Sequence, residues 1–285
     1  MRNFSYSQKD LKNLLPKRDE NSHKGSCGRV LIIGGSPCMS GAPYFSAKAA
    51  YRTGCGLVEI FTHEDNRVIL QTLIPEAVLS TWGETIDFSK LEASIKKADV
   101  IAIGMGLSTS EYALEILKFT LSKNDCPLII DADALNLISK HPELFELIVR
   151  HVVIMTPHPL EMSRLSGLEV NKITSNIPSF AQDFANANEV ICVLKDRHTA
   201  VAAPNGDYTY INQSGNSGMS TGGSGDVLDG IIAGLLAQGC NPYVAATLGV
   251  YIHGLAGDIA SEKLSQYSVM ANDIIDSLPE VFKIL

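Results

Sequence analysis

The sequence predicts a three-layer α/β/α sandwich with a mostly parallel central sheet and an antiparallel hairpin at one edge. Two observations carry this. Short, continuously apolar, β-branched runs alternate with helical stretches, and late in the chain an Asn-Gly dipeptide joins two strand-like segments. Unbroken apolar runs suit strands covered by helices on both faces, and alternation of strand with helix implies parallel pairing.

In chain order, strands are read at "RVLIIGG" (29–35), "LVEIFT" (57–62), "DVIAIGMG" (99–106), "PLIIDAD" (127–133), "HVVIMTPH" (151–158) and "VICVLK" (190–195). Helices are read over 43–54, 110–123, 143–149 and 178–188 between them. After Lys195, "TAVAAPNGDYTYIN" is a hairpin turning at Asn205-Gly206, the dipeptide favoured in tight turns. Helices over 226–238, 241–262 and 271–283 complete the fold. Residues 1–25 read as an N-terminal arm and 26–285 as one domain, with no internal repeat.

Composition narrows the function. With 31 acidic against 23 basic residues the net charge is −8, which disfavours a nucleic-acid surface. Any anionic ligand must be met by local features. The N-terminus lacks the apolar core of a signal peptide and no run reaches the ~20 apolar residues of a membrane span, so a cytoplasmic protein is expected. Six scattered cysteines without a C-x-x-C pair suit reduced thiols better than a zinc or dithiol motif. Cys55, between a helix and a strand, reads as a buried thiol.

In an open parallel sheet, ligands lie beyond the carboxyl ends of the strands. Those ends read "GGSPCMSGA", "GMGLS", "DADALN", "TPHPLEM" and "KDRHT". The densest feature is "GNSGMSTGGSGDVLDGIIAGLLAQG", where Gly222, Gly223, Ser224 and Gly225 run into a helix start beside Asp226. Unpaired N–H groups and the helix dipole there could hold a phosphate or developing oxyanion, although such a stretch can equally be a turn. Asp229 reads as the first-turn acid, leaving Asp226 freer for chemistry. Lys195, Arg197 and His198 offer a local anion site or a solvated turn. His158 is held between two prolines, and of Asp131 and Asp133 the latter could be a helix N-cap, or the two could order a magnesium-bound water or the nucleotide site. His253 and Asp258 read as packed, hydrogen-bonded groups. P-loop and Rossmann fingerprints are absent from the sequence.

Together, "VLIIGGSPCMSGAPYFSAKAAYRTGCGLVEIFT", "AIGMGLS", "LIIDADALNLIS", "TPHPLEM", "VLKDRHTAV" and the glycine-rich segment resemble the ADP-dependent (S)-NAD(P)H-hydrate dehydratase family of the ribokinase-like superfamily, in order from about Lys24 onward. The resemblance implies a metabolite-repair lyase that removes water from the S form of NADH hydrate or NADPH hydrate. ADP or ATP is the expected co-substrate, Mg2+ accompanies it, and a phosphorylated hydrate is the intermediate.

By the same resemblance, Asp226 is the catalytic base, and Gly222, Gly223 and Gly225 present N–H groups to the phosphoryl. Ala42, Gly106, His158 and Asp226 contact the hydrate, while Lys195, Asp196, Arg197, His198, Thr199 and Gly225 contact the nucleotide. No metal ligand is assigned. Leu160 and Asp196 stand where the family commonly has glycine. A homotetramer and a separate, unfused epimerase are expected from the family pattern. The alternatives are an ATP-dependent small-molecule hydroxyl kinase of the superfamily and a non-catalytic nucleotide-binding module.

Overall fold

The strands of the computed structural model form one ten-stranded sheet, and the structure describes residues 2–6 and 13–285. The strands are β1 (Arg2–Phe4), β2 (Arg29–Ile33), β3 (Leu57–His63), β4 (Val78–Trp82), β5 (Val100–Ile103), β6 (Leu128–Ile130), β7 (Val153–Met155), β8 (Ile191–Leu194), β9 (Ala200–Ala202) and β10 (Tyr208–Ile211). Their order is β1-β10-β9-β8-β7-β6-β5-β2-β3-β4. All pairings are parallel except those of β9, which runs antiparallel to β8 and β10. The hairpin is where its Asn-Gly turn places it. Part of the N-terminal arm, β1, pairs with the hairpin's outer strand, while residues 1 and 7–12 of that arm lie outside the described residues.

The helices are α1 (Gly41–Thr53), α2 (Arg67–Leu73), α3 (Phe88–Ile95), α4 (Glu111–Lys123), α5 (Ala132–Lys140), α6 (Phe145–Ile148), α7 (Pro159–Ser166), α8 (Val170–Thr174), α9 (Ile177–Asn188), α10 (Ser224–Ala237), α11 (Pro242–Leu264) and α12 (Ala271–Ile284). Alternate strand residues feed two cores. Val30, Ile32, Val58, Ile60, Val100 and Ala102 pack under α1, α10, α11 and α12. Leu31, Ile33, Phe61, Ile101 and Ile103 pack under α3, α4, α5 and α9. A strand with one residue per face and both faces covered must be apolar throughout, which explains the unbroken runs.

The run at 127–133 is shorter as a strand than its composition implies, because pairing stops at Ile130 and Asp131 becomes the N-cap residue of α5. Asp133 is therefore not the N-cap; it lies in the first turn, where its carboxylate accepts the Ser108 N–H at 2.8 Å. Strands β1 and β4 and helices α2, α3, α5, α7 and α8 go beyond the elements predicted from the sequence.

Helices α1 and α10 meet through glycine. A Cβ on Gly230 would lie 2.2 Å from the Ser46 carbonyl oxygen, and one on Gly234 would lie 2.9 Å from that of Ala50. Since backbone cannot yield as a side-chain tip can, Gly230→Ala is expected to cost about 2–3 kcal/mol of stability. An unchanged urea midpoint would contradict this close approach. The seam matters because α10 carries Asp226 and α1 holds it: the Ser46 hydroxyl donates to the Asp226 carbonyl at 2.9 Å.

Candidate active site

The sheet reverses its direction of growth at β2, which lies between β3 and β5, and the loops following β2 and β5 meet there. The Gly35 N–H donates to the Met105 carbonyl at 3.0 Å and the Ser36 N–H to that of Gly106 at 2.6 Å. Gly106 has φ +61°, and a Cβ there would stand 3.1 Å from the Ala42 Cβ, so two of the hydrate-contact candidates are neighbours.

Helix α10 begins at Ser224, two residues before the sequence-read start, and Gly223 is its N-cap with φ +89°. The N–H groups of Gly222, Gly223, Gly225 and Asp226 find no acceptor among the described residues, whereas that of Ser224 donates to the Thr221 carbonyl at 3.3 Å. A Cβ on Gly223 would strike the Phe45 ring at 2.6 Å, and one on Gly225 would stand 3.4 Å from the Lys195 Nζ. Glycine is thus needed at 223 for both conformation and space, and at 225 it keeps the backbone open to the lysine.

The Asp226 carboxylate accepts no hydrogen bond from the described residues. Burial, then the Asp131 carboxylate, push it up to about 7 against the pull of Lys195. A carboxyl group poised there is suited to taking a proton at neutral pH. Asp226, not Asp229, is the first-turn acid of α10. Asp229 is fully buried one turn on, and its Oδ1 accepts the Thr156 hydroxyl at 3.0 Å. Burial, then the Asp131 carboxylate, raise its pKa well above the usual carboxylate range.

Lys195 anchors the charges. Its Nζ donates to both Asp131 oxygens at 2.9 Å and lies 4.0 Å from the Glu161 Oε2. Burial alone would lower its pKa, but Asp131, Asp229 and Glu161 outweigh that and keep it an ammonium. Burial raises Glu161 to about 7. His158 caps α7, its Nδ1 accepting from the N–H groups of Leu160 and Glu161 at 3.1 and 3.2 Å. Burial and the Lys195 charge lower its pKa. A neutral ring whose Nδ1 accepts carries its proton on Nε2, 3.4 Å from the Glu161 Oε1.

Beside this cluster opens a cleft of about 990 Å³, lined among others by His158, Lys195, Asp196, Arg197, Thr199, Ser224 and Gly225. Asp226, Ala42 and Gly106 are not in its lining, but Gly225, which is, immediately precedes Asp226 in α10. In the turn after β8, the Asp196 Oδ1 accepts the Arg197 N–H at 2.7 Å, so the charge of Asp196 is spent partly on its own turn. His198 Nδ1 faces the Asn212 carbonyl at 3.3 Å and is not part of the lining.

The rest of the lining comes from the 214–221 segment, most of which belongs to the glycine-rich stretch, and from Asn212, Val250, His253, Gly254 and Gln266, for which the sequence predicts no site role. The Asn/Ser-rich "NQSGNSGMS" was the available signal. Asp258 has the packed role expected, its Oδ2 accepting the Gly215 N–H at 2.9 Å and its Oδ1 the Asn216 side chain at 2.8 Å. Cys55 is buried as expected, its thiol pushed up to about 12. Among the described residues no group of three or more His, Cys, Asp or Glu is arranged to hold a metal ion, and no helix is long and apolar enough to cross a membrane.

Known proteins share this architecture. A ribokinase-like superfamily protein from Enterococcus faecalis superposes with a TM-score of 0.86 at 32% identity, covering 99% of this chain and 96% of that one. The ADP/ATP-dependent NAD(P)H-hydrate dehydratase from Bacillus subtilis, co-crystallised with ATP/Mg2+, gives 0.84 at 31% identity, with 98% and 97% covered. The bifunctional NAD(P)H-hydrate repair enzyme of Moorella thermoacetica is 40% identical over 277 residues, which are 94% of this chain and 52% of that protein. The chain thus spans about half the length of that curated relative. The model of the NAD(P)H-hydrate dehydratase family matches residues 30–280. With the family model spanning most of the chain and the fold shared with these proteins, the chain belongs to the NAD(P)H-hydrate dehydratase family.

Proposed function

We propose that the protein dehydrates the S form of NADH hydrate or NADPH hydrate back to NAD(P)H, consuming ADP to AMP and phosphate, or ATP to ADP and phosphate. The observation that carries this is the Asp226 carboxyl group, its pKa raised to about 7 and without a hydrogen bond from the described residues, beside N–H groups at the start of α10 that find no acceptor among them.

The nucleotide occupies the large cleft with its terminal phosphate at Gly223 and Gly225, and Lys195, Asp196, Arg197 and Thr199 lie along it; His198 supports the same turn. The hydrate sits at Ala42, Gly106 and His158, whose Nε2–H can donate to it. The ring hydroxyl attacks the terminal phosphorus, a new O–P bond forms, the bond to the departing nucleotide breaks, and Asp226 takes the hydroxyl proton. Free N–H groups of α10 meet the charge that gathers on the phosphoryl oxygens. Phosphate then leaves with the C–O electrons as the ring nitrogen donates its pair, and the neighbouring ring carbon gives up a proton to restore the double bond.

Among the described residues no group of three or more His, Cys, Asp or Glu forms a metal cage, which suits Mg2+, because it keeps most of its water and binds phosphate oxygens. Asp131 and Glu161 are the oxygen donors that could meet its hydration shell, and the charge it supplies would neutralise phosphate. A homotetramer, a cytoplasmic location and an epimerase acting on the other hydrate form complete the proposal.

The test is incubation with NADH hydrate or NADPH hydrate and ADP or ATP. Return of dihydronicotinamide absorbance with stoichiometric phosphate is expected. Nucleotide consumption only with an unrelated alcohol acceptor would point instead to a hydroxyl kinase.

A further inference from the structure

Along the first turn of α10 the row of free main-chain donors has a gap. Among the described residues the N–H groups of Gly222, Gly223, Gly225 and Asp226 find no acceptor, but the Ser224 N–H is taken by the Thr221 carbonyl at 3.3 Å. The Ser224 side chain lines the cleft at that position, and its Oγ lies 3.3 Å from the Nε2 of His253, which lines the same cleft from α11.

His253 is firmly set. Its neighbour Gly254 packs so closely on the loop that a Cβ there would stand 2.2 Å from the Ser214 Oγ, and Asp258 one turn later ties Gly215 and Asn216 to the same helix. Burial pulls the His253 imidazole down to about 4, so the ring is neutral and carries a single N–H.

A neutral histidine and a hydroxyl can share a hydrogen bond in two ways. If the serine donates, its oxygen shows only lone pairs to the cleft, which repel a phosphate. If the histidine Nε2–H donates, the serine oxygen is satisfied as acceptor and its own proton is free to point into the cleft. Only the second arrangement suits an anion at the start of α10.

We propose that His253 donates to Ser224, and that the Ser224 hydroxyl thereby supplies the missing donor to the terminal phosphate of the bound nucleotide. Ser224 touches the substrate; His253 is a positioning residue that acts through it. This rests on the nucleotide assignment above and adds to it the side chain of Ser224, where the motif offered main-chain groups, and His253, which lies outside the motif.

Calorimetric titration of the full chain with ADP and with AMP, which lacks the terminal phosphate, separates the two ideas. Ser224→Ala is expected to weaken ADP about tenfold and leave AMP within about twofold, as for one lost hydrogen bond to a charged group. His253→Ala should weaken ADP about fivefold in the wild-type background and add nothing to Ser224→Ala. His253→Gln, which keeps an N–H donor, should recover most of that loss. Wild-type protein that binds neither nucleotide would overturn the nucleotide assignment itself, and this proposal with it. Wild-type protein that binds ADP while Ser224→Ala binds it equally well overturns this proposal alone. So do equal losses on ADP and AMP, or independent losses for the two variants.

Discussion

Replacing Asp226 by asparagine is expected to lower kcat for hydrate repair by about 10²–10⁴-fold, the usual contribution of a positioned general base, while ADP affinity stays within about threefold. The amide keeps the size of the carboxyl group and cannot take the hydroxyl proton. Undiminished turnover with nucleotide still bound would leave a nucleotide-binding module in which Asp226 is structural. The pH profile gives a second reading. The base works ionised, so the wild-type rate should climb with pH and level off above about 7, where burial and Asp131 have placed the group. The residual rate of the variant should lack that inflection.

Stability should move in the opposite sense. Because the folded-state pKa of Asp226 is raised to about 7, folding favours the protonated form. That contribution is fully present below the ordinary carboxylate range near ~4 and is lost as pH rises through about 7. Asp226→Asn, neutral at every pH, should therefore melt close to wild type in mild acid and about 2–4 °C above it at alkaline pH. Differential scanning calorimetry at the two pH values decides; a variant that melts lower at alkaline pH means the carboxylate is a stabilising helix-dipole partner. A group that destabilises the fold at working pH and serves the reaction is what local strain at a functional site looks like.

The α/β architecture was legible because each buried strand must be apolar on both faces, and the hairpin because Asn205-Gly206 fits few other conformations. β4 was missed for a physical reason: at the sheet edge, Val78–Trp82 is only partly covered and its pattern is mixed. The start of α5 was hidden because Asp131 serves as a helix N-cap position while spending its carboxylate on Lys195, 64 residues away. Asp229 shows the same limit. Its spacing from the glycines suits a first-turn acid, yet helix α10 starts two residues earlier and turns it into the core against Thr156. Motif residues near a strand end were found; the cleft wall outside the glycine-rich stretch, assembled from remote residues, was not, since no local pattern records a tertiary contact.

The second large effect is expected at Lys195. Its ammonium holds both oxygens of Asp131, a side chain only 3% exposed, and faces Glu161 at 4.0 Å. Removing one partner of such a pair strands the other, so Lys195→Met should cost about 3–5 kcal/mol of stability and weaken ADP at least about tenfold. The two losses have different causes and can be pulled apart. In Lys195→Met/Asp131→Asn neither charge remains, so most of the stability should return, because replacing a buried pair outright is far cheaper than breaking it. ADP affinity should not return, because the cation beside Gly225 is still missing. If affinity recovers together with stability, Lys195 is a scaffold for Asp131 and the phosphate is held by the start of α10 without it. If neither recovers, Asp131 has a role of its own toward the nucleotide, and the two charges must be counted as one functional unit with the base they surround.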